Sequence, residues 1–302
     1  MPRCACKAEL VGGSVDYGEY DEKVLSDEER MQGKVLLCQA RPLEDVVIDV
    51  PEVASAQSIQ IKTLPCRVAR KERLADDVVR LYLTLPKNQQ LEFLPGQYID
   101  ILLPDGQRRS FSLANTPAEA EAEGLELHIR LVAGGAFTPK VFDTLHERDL
   151  LRFEGPFGTY FLRRDAERPI ILVAGGTGFA PIKGILRQAL NEDLKQPLHL
   201  FWGARTAVDI YLDALAREWE KTCETVHYTP VLSEAEGETW KGARGFVHEE
   251  VLRQHPDLKP FDVYASGPPP MIEAARSTFA EHGLDAERFF FDSFDYGAEG
   301  RV

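Results

Sequence analysis

The sequence predicts two domains in tandem, an antiparallel β-barrel over residues 64–165 and a parallel α/β domain over residues 166–302. Two patterns carry that prediction. Between Leu64 and Phe161, short stretches alternate apolar and polar residues and are separated by Pro and Gly, as in a meander of antiparallel strands. From Arg168 onward, continuous apolar runs alternate with helical stretches, as a parallel sheet covered on both faces requires.

The elements follow in order. In the barrel half, Val78–Leu85 and Leu125–Val132 place an apolar residue at every second position. Turns are expected at Pro95-Gly96, Pro104-Asp105-Gly106, Gly134-Gly135 and Gly155-Pro156. In the second half, Pro169–Ala174 is an apolar run, followed by a glycine turn and a helix from Ala180 to Asn191. Strand Leu198–Trp202, helix Leu212–Lys221, strand Val226–Leu232, helix Val247–Gln254, strand Asp262–Ala265 and helix Pro270–His282 complete it. Upstream, residues 1–53 are Gly-rich and acidic, and residues 54–63 read as a linker.

Composition excludes several classes. A net charge of −14, from 49 acidic against 35 basic residues, lacks the basic face that nucleic acid needs. No apolar run approaches the roughly 18 residues of a membrane span, and Met1-Pro2-Arg3-Cys4 opens no secretory signal, so a cytoplasmic protein is expected. Five cysteines, an odd number, argue against a disulfide framework.

Three motifs carry chemistry. Gly175-Gly176-Thr177-Gly178-Phe179-Ala180-Pro181 lies between a buried strand and a helix. Glycines there let backbone amides approach a pyrophosphate at the helix N-terminus, and Pro181 is tolerated in the first turn. A second turn, Ser266-Gly267-Pro268-Pro269-Pro270-Met271, follows the strand Asp262–Ala265 and belongs at the same end of the sheet. In the barrel, Arg109-Ser110-Phe111-Ser112-Leu113-Ala114-Asn115 offers a guanidinium for phosphate, an aromatic face for a flat ring and a hydroxyl for a ring nitrogen. By itself that stretch reads as a barrel strand with a charged flank.

These motifs, with Gly134-Gly135-Ala136-Phe137-Thr138 and a C-terminal Phe291-Asp292-Ser293-Phe294, occur in one order. The ordered set resembles the ferredoxin–NADP reductase superfamily over about residues 64–296, most of all the CDP-6-deoxy-3,4-glucoseen reductases and the reductase subunits of bacterial oxygenases. The resemblance implies a Greek-key barrel that binds FAD and a Rossmann-like domain that binds NAD(P)H. Arg109 would hold the flavin pyrophosphate, Phe111 and Ser112 would contact the isoalloxazine, and Gly135 with Thr138 would bind phosphate. Thr177 would lie beside the nicotinamide, with Gly176, Gly178 and Pro181 shaping the pyrophosphate loop and Phe294 packing near the flavin. Ser112, Thr177, Ser266 and Phe294 would thus stand at the reacting rings. Ser110, Asn115, His128, Arg130, Gly134, Gly175, Arg205, Gly267, Pro268 and Met271 join the cofactor surroundings. Ser266 stands where the family has cysteine, which would orient the nicotinamide less well and slow the transfer. Arg205 would suit a 2′-phosphate and Asp209 an unphosphorylated ribose. NADH is the expected donor, with NADPH as the alternative.

Residues 6–50 resemble the back half of a plant-type [2Fe–2S] ferredoxin, a partial β-grasp segment, through Cys6-Lys7-Ala8, Leu25–Glu29 and Leu37-Cys38-Gln39-Ala40-Arg41-Pro42. Such a cluster needs three thiolates in a C-x₄-C-x₂-C loop and one remote. Cys6 and Cys38 match the third and fourth as metal ligands, while Cys4 is one residue too close for the second. The segment reads as a truncated start of a longer protein, with a remnant that lost its cluster, or a cluster with a substitute ligand, as the other readings. The expectation is a thin core and no bound [2Fe–2S] cluster.

The function implied is an NAD(P)H-dependent flavoprotein reductase that passes electrons from bound FAD to an acceptor, either an iron–sulfur centre or an oxygenase or dehydratase component. A diffusible flavin reductase and a non-catalytic redox-sensing or partner-binding subunit are the alternatives.

Overall fold

The computed structural model describes residues 7–20, 25–37, 39–49, 59–163, 167–235 and 240–294, and the chain divides between Ser58 and Ile59 into two compact units. In the first unit, strands β1 (Lys7–Gly12) and β2 (Val15–Asp16) precede helix α1 (Asp27–Met31), and β3 (Lys34–Leu36), β4 (Arg41–Pro42) and β5 (Val47–Asp49) follow. β1 lies between β3 and β5, antiparallel to both, and β2 pairs with β4. The Ser26 hydroxyl accepts from the Glu29 amide, and the Glu29 carboxylate accepts from the Ser26 amide, a capping box that starts α1. The core is thin: Leu25 and Leu36 are buried against Tyr17 and Tyr20, while Val11, Met31 and Val47 are exposed. Cys6 and Cys38, the expected metal ligands, lie outside the described residues.

The second unit begins with the barrel. Its strands are β6 (Lys62–Ala75), β7 (Val78–Thr84), β8 (Tyr98–Leu102), β9 (Arg108–Ser112), β10 (Leu125–Arg130) and β11 (Leu150–Phe157). They run antiparallel in the order β10-β7-β6-β11-β8-β9, and a bridge between Leu113 and Leu127 joins the two ends of the sheet. Alternate residues, among them Val79, Leu81, Leu83, Leu125, Leu127 and Ile129, fill the interior. Cys66 points into this core, where burial pushes its thiol up to about 12. Helices α2 (Pro117–Glu123) and α3 (Thr138–Asp143) sit in the connections.

The second half of this unit is a six-stranded parallel sheet. In chain order it contains β12 (Ile170–Gly175), α4 (Phe179–Asn191), β13 (Leu198–Ala204), α5 (Asp213–Thr222), β14 (Val226–Leu232) and β15 (Ala243–Arg244). Then come α6 (Val247–Gln254), β16 (Asp262–Gly267), α7 (Pro269–Glu281) and β17 (Phe289–Ser293). The strand order is β15-β14-β13-β12-β16-β17, so the winding reverses between β12 and β16. α4 and α5 cover one face over Leu172, Leu200 and Trp202, and α6 and α7 cover the other over Ile171, Val173 and Phe201. This double burial is why the sequence shows unbroken apolar runs here. Among the described residues, no helix is long and apolar enough to cross a membrane.

Candidate active site

Open α/β sheets bind ligands at the carboxyl ends of their strands where the winding reverses. Ala174 of β12 pairs with Ser266 of β16 at that point, so the two glycine turns leave the sheet side by side. Gly176–Gly178 form a single 3₁₀ turn that runs into α4, with Gly176 at φ +54°. A Cβ on Gly178 would lie 2.0 Å from the Ser266 carbonyl oxygen, and one on Gly175 would lie 2.5 Å from the Met271 sulfur. A Cβ on Gly267 would meet the Met271 methyl at 2.6 Å. Glycine is required at position 178, where the two turns meet backbone to backbone, while Met271 fills the space beside Gly175 and Gly267. The Trp202 indole N–H donates to the Gly176 carbonyl at 3.0 Å and steadies the loop. Thr177 and Pro181 are buried beside it, and Pro268 caps the start of α7. Ser266 is fully buried, and its hydroxyl has no hydrogen-bond partner among the described residues.

The barrel brings β9 to the same place. Ser112 Oγ donates to Asp292 of β17 at 3.2 Å, and the Phe294 amide reaches the Gly267 carbonyl at 3.4 Å. The strand pleat puts Arg109 and Phe111 on one face and Ser110 and Ser112 on the other. Phe111 packs on Phe137 with ring centroids 5.7 Å apart, and Ser110 donates to Asp100 at 2.6 Å. Arg109, half-buried, donates to Gln107 and to the Arg108 carbonyl. Opposite β8, the edge of β9 pairs among the described residues through the Leu113 bridge.

Of the other candidates, Asn115 and His128 take interior positions. The Asn115 amide is buried, donates to the Gly124 carbonyl at 2.9 Å and accepts from the Glu126 amide at 3.1 Å, so it pins the start of β10. His128 is buried between Glu126 and Tyr211. Arg130 pairs with Asp77 at 2.9 Å and lies 3.7 Å from Asp209. Its Nε and Nη2 have no hydrogen-bond partner among the described residues, and Nη2 is 3.7 Å from where a Cβ on Gly176 would sit. Thr138 Oγ1 donates to the Val132 carbonyl and accepts from the Val132 amide, closing the loop that holds Gly134 and Gly135. Gly134, at φ +76°, faces open space. Arg205 is exposed just past β13, whereas the Asp209 carboxylate accepts from the Thr206 amide and hydroxyl.

Glu126, Lys183 and Tyr211 lie outside the sequence motifs, and Asp292 enters them only within the C-terminal Phe291–Phe294 stretch. A lysine inside the otherwise apolar start of α4 was the available signal, since a buried ammonium demands a partner.

Residues 65–161 match the oxidoreductase FAD-binding domain family, and residues 172–277 match the oxidoreductase NAD-binding domain family. The chain is 41% identical over 290 residues to the CDP-6-deoxy-L-threo-D-glycero-4-hexulose-3-dehydrase reductase of Yersinia pestis, covering 96% of this chain and 86% of that protein. The chain belongs to the ferredoxin–NADP reductase family of FAD- and NAD-binding oxidoreductases. The reductase is also 33% identical over 302 residues to the reductase component of propane 2-monooxygenase from Gordonia, covering 97% of this chain and 86% of that one. Its fold superposes on the cytochrome P450 reductase GcoB of Amycolatopsis with a TM-score of 0.79 at 33% identity, covering 96% of this chain and 87% of that one.

Proposed function

We propose that the reductase oxidises NADH in preference to NADPH and passes the electrons to a partner oxygenase or dehydratase component. The names of its relatives, a dehydrase reductase and a monooxygenase reductase component, support that acceptor class. The observation that carries the reading is the meeting of three segments at one point: the two touching glycine turns and the Ser112 strand docked on Asp292. Bound FAD would accept two electrons at once from a nicotinamide and release them one at a time, which a one-electron partner requires.

The residues present fit both cofactors. The edge of β9 beside Arg109 suits a flavin pyrophosphate, which Arg109 would neutralise, with Phe111, Ser112 and Phe294 at the ring. The glycine loop suits a dinucleotide pyrophosphate, because it carries backbone amides at the N-terminus of α4. The two unpartnered N–H groups of Arg130 beside Gly176 suit the same anion. Thr177 and the unpartnered Ser266 hydroxyl would orient the nicotinamide.

Anaerobic titration of the purified protein tests this reading. A flavin spectrum that bleaches with NADH, and faster turnover of ferricyanide with NADH than with NADPH, are expected. A protein that retains no FAD, or whose flavin stays oxidised with either nucleotide, overturns it.

A further inference from the structure

Strand β10 is amphipathic by sequence and buried on both faces in the structure. Leu125, Leu127 and Ile129 point into the barrel, while Glu126 and His128 are buried on the other face because α4 and the Tyr211 segment pack there. Lys183, on α4 two residues past Pro181, is 6% exposed and Glu126 is 3% exposed. The Lys183 ammonium donates to Glu126 at 2.9 Å and to the Ala114 carbonyl at 3.0 Å. The other Glu126 oxygen lies 2.8 Å from His128 Nε2, and His128 Nδ1 lies 3.0 Å from the Tyr211 hydroxyl. With Nε2–H donating to the carboxylate, Nδ1 accepts from Tyr211. The Tyr211 ring packs edge-on against Trp202, whose N–H holds the Gly176 carbonyl. Arg130 continues the ladder to Asp209 and the face of Gly176.

A buried ion pair is a poor means of holding two domains together, since desolvation offsets most of its attraction and an apolar contact would serve as well. Geometry is what it adds. An ammonium held between two oxygens on neighbouring barrel segments has one position, whereas an apolar surface can slide. Bringing two reacting rings within about 3–3.5 Å is sensitive to displacements on the order of 1 Å. We propose that Lys183 is a positioning residue: with Glu126, His128 and Arg130 it registers the glycine loop of the nucleotide domain on the flavin barrel, and so sets how the nicotinamide meets the flavin. This rests on the reductase reading above.

The test begins with FAD-loaded wild type mixed anaerobically with NADH. A flavin that stays oxidised there overturns the reductase reading and the positioning role with it. K183M alone strands a buried carboxylate, so K183M/E126Q, which removes both charges and keeps an acceptor for His128, is the informative variant. It is expected to retain FAD and to change NAD⁺ affinity, read by calorimetry, less than about threefold. Its limiting rate of flavin reduction should fall by about ten- to a hundredfold. The long-wavelength absorbance of the reduced flavin–NAD⁺ complex should weaken, and amide exchange across residues 175–181 should speed up in the flavin-free protein as well. K183R, which keeps the charge, should recover part of the rate. A double variant that reduces its flavin at the wild-type rate with an unaltered long-wavelength band overturns the proposal, as does a rate loss that only follows lost flavin.

Discussion

The carbonyl oxygen of Ser266 stands 2.0 Å from the point where a Cβ on Gly178 would sit. Backbone meets backbone there, between two turns that the sequence separates by nearly ninety residues, and neither side can yield as a flexible side chain would.

Gly178→Ala should therefore cost about 1–3 kcal/mol, the range for forcing extra volume into a packed site. The melting temperature should fall by roughly 2–4 °C per kcal/mol. NAD⁺ binding should weaken while FAD stays bound, because the barrel is untouched. Thermal melts and calorimetry on the FAD-loaded variant measure both; an unchanged melting temperature would mean that the turns do not touch.

Arg109 lies half-buried at the edge of β9, held by Gln107 and the Arg108 carbonyl. Removing a charge-assisted contact to the flavin pyrophosphate costs about 1.5–3 kcal/mol, so Arg109→Ala should weaken FAD binding about ten- to a hundredfold. Lysine should restore part of this, since it lacks the bidentate fork. Flavin content after dialysis reads the effect, and full retention in the alanine variant would remove Arg109 from the site.

On the proposed reading the donor preference depends on Asp209, whose carboxylate holds the Thr206 amide and hydroxyl and lies 3.7 Å from Arg130. Its negative charge near a ribose disfavours a 2′-phosphate. Wild type should show the higher kcat/KM with NADH, and Asp209→Asn should narrow the NADH/NADPH ratio severalfold. A wild-type ratio favouring NADPH by about tenfold would reverse the assignment and promote Arg205.

Acid should destabilise the fold through its buried imidazoles. Burial, helped by the charges of His255 and His227 and opposed by Glu250, pushes His199 down to about 3 from its model-peptide value of 6.5. Burial lowers His128 and His255 too. A group held neutral in the fold binds its proton more readily when unfolded, so stability is full above pH 6.5 and falls as pH drops towards 3. Glu126 acts in the same direction at lower pH. Burial opposes its charge, but the hydrogen bond from His128 and the charge and hydrogen bond of the Lys183 ammonium prevail and hold it down at about 2, so its contribution fades from 4.5 towards 2. The urea midpoint should drop between about pH 7 and about pH 4, and His199→Gln should flatten the part of that drop that begins near pH 6.5. A midpoint independent of pH across that range would contradict the assignment.

Much of this molecule is legible residue by residue. The runs Val226–Leu232 and Val247–Gln254 form a strand and a helix with the expected bounds, because each is delimited locally by hydropathy period and breakers. The glycine turns are legible for the same reason: a backbone that must make a close approach excludes side chains wherever the partner comes from. Asn115 and His128, which the resemblance places in the cofactor surroundings, also hold the barrel and its covering domain in place.

What the sequence determined alone was therefore the type and order of the elements, the two glycine turns, and the alternation that puts Leu125, Leu127 and Ile129 on one face of β10. What only the tertiary structure decided was the fate of the other face. A strand's polar side reads the same whether it meets water or a complementary set of polar groups, because period reports which residues are apolar and not what covers the rest. Glu126 finds Lys183 57 positions away, and Ser112 finds Asp292 180 positions away. Contacts at that separation leave no local pattern; they exist because the parallel sheet docks its switch point against one edge of the barrel.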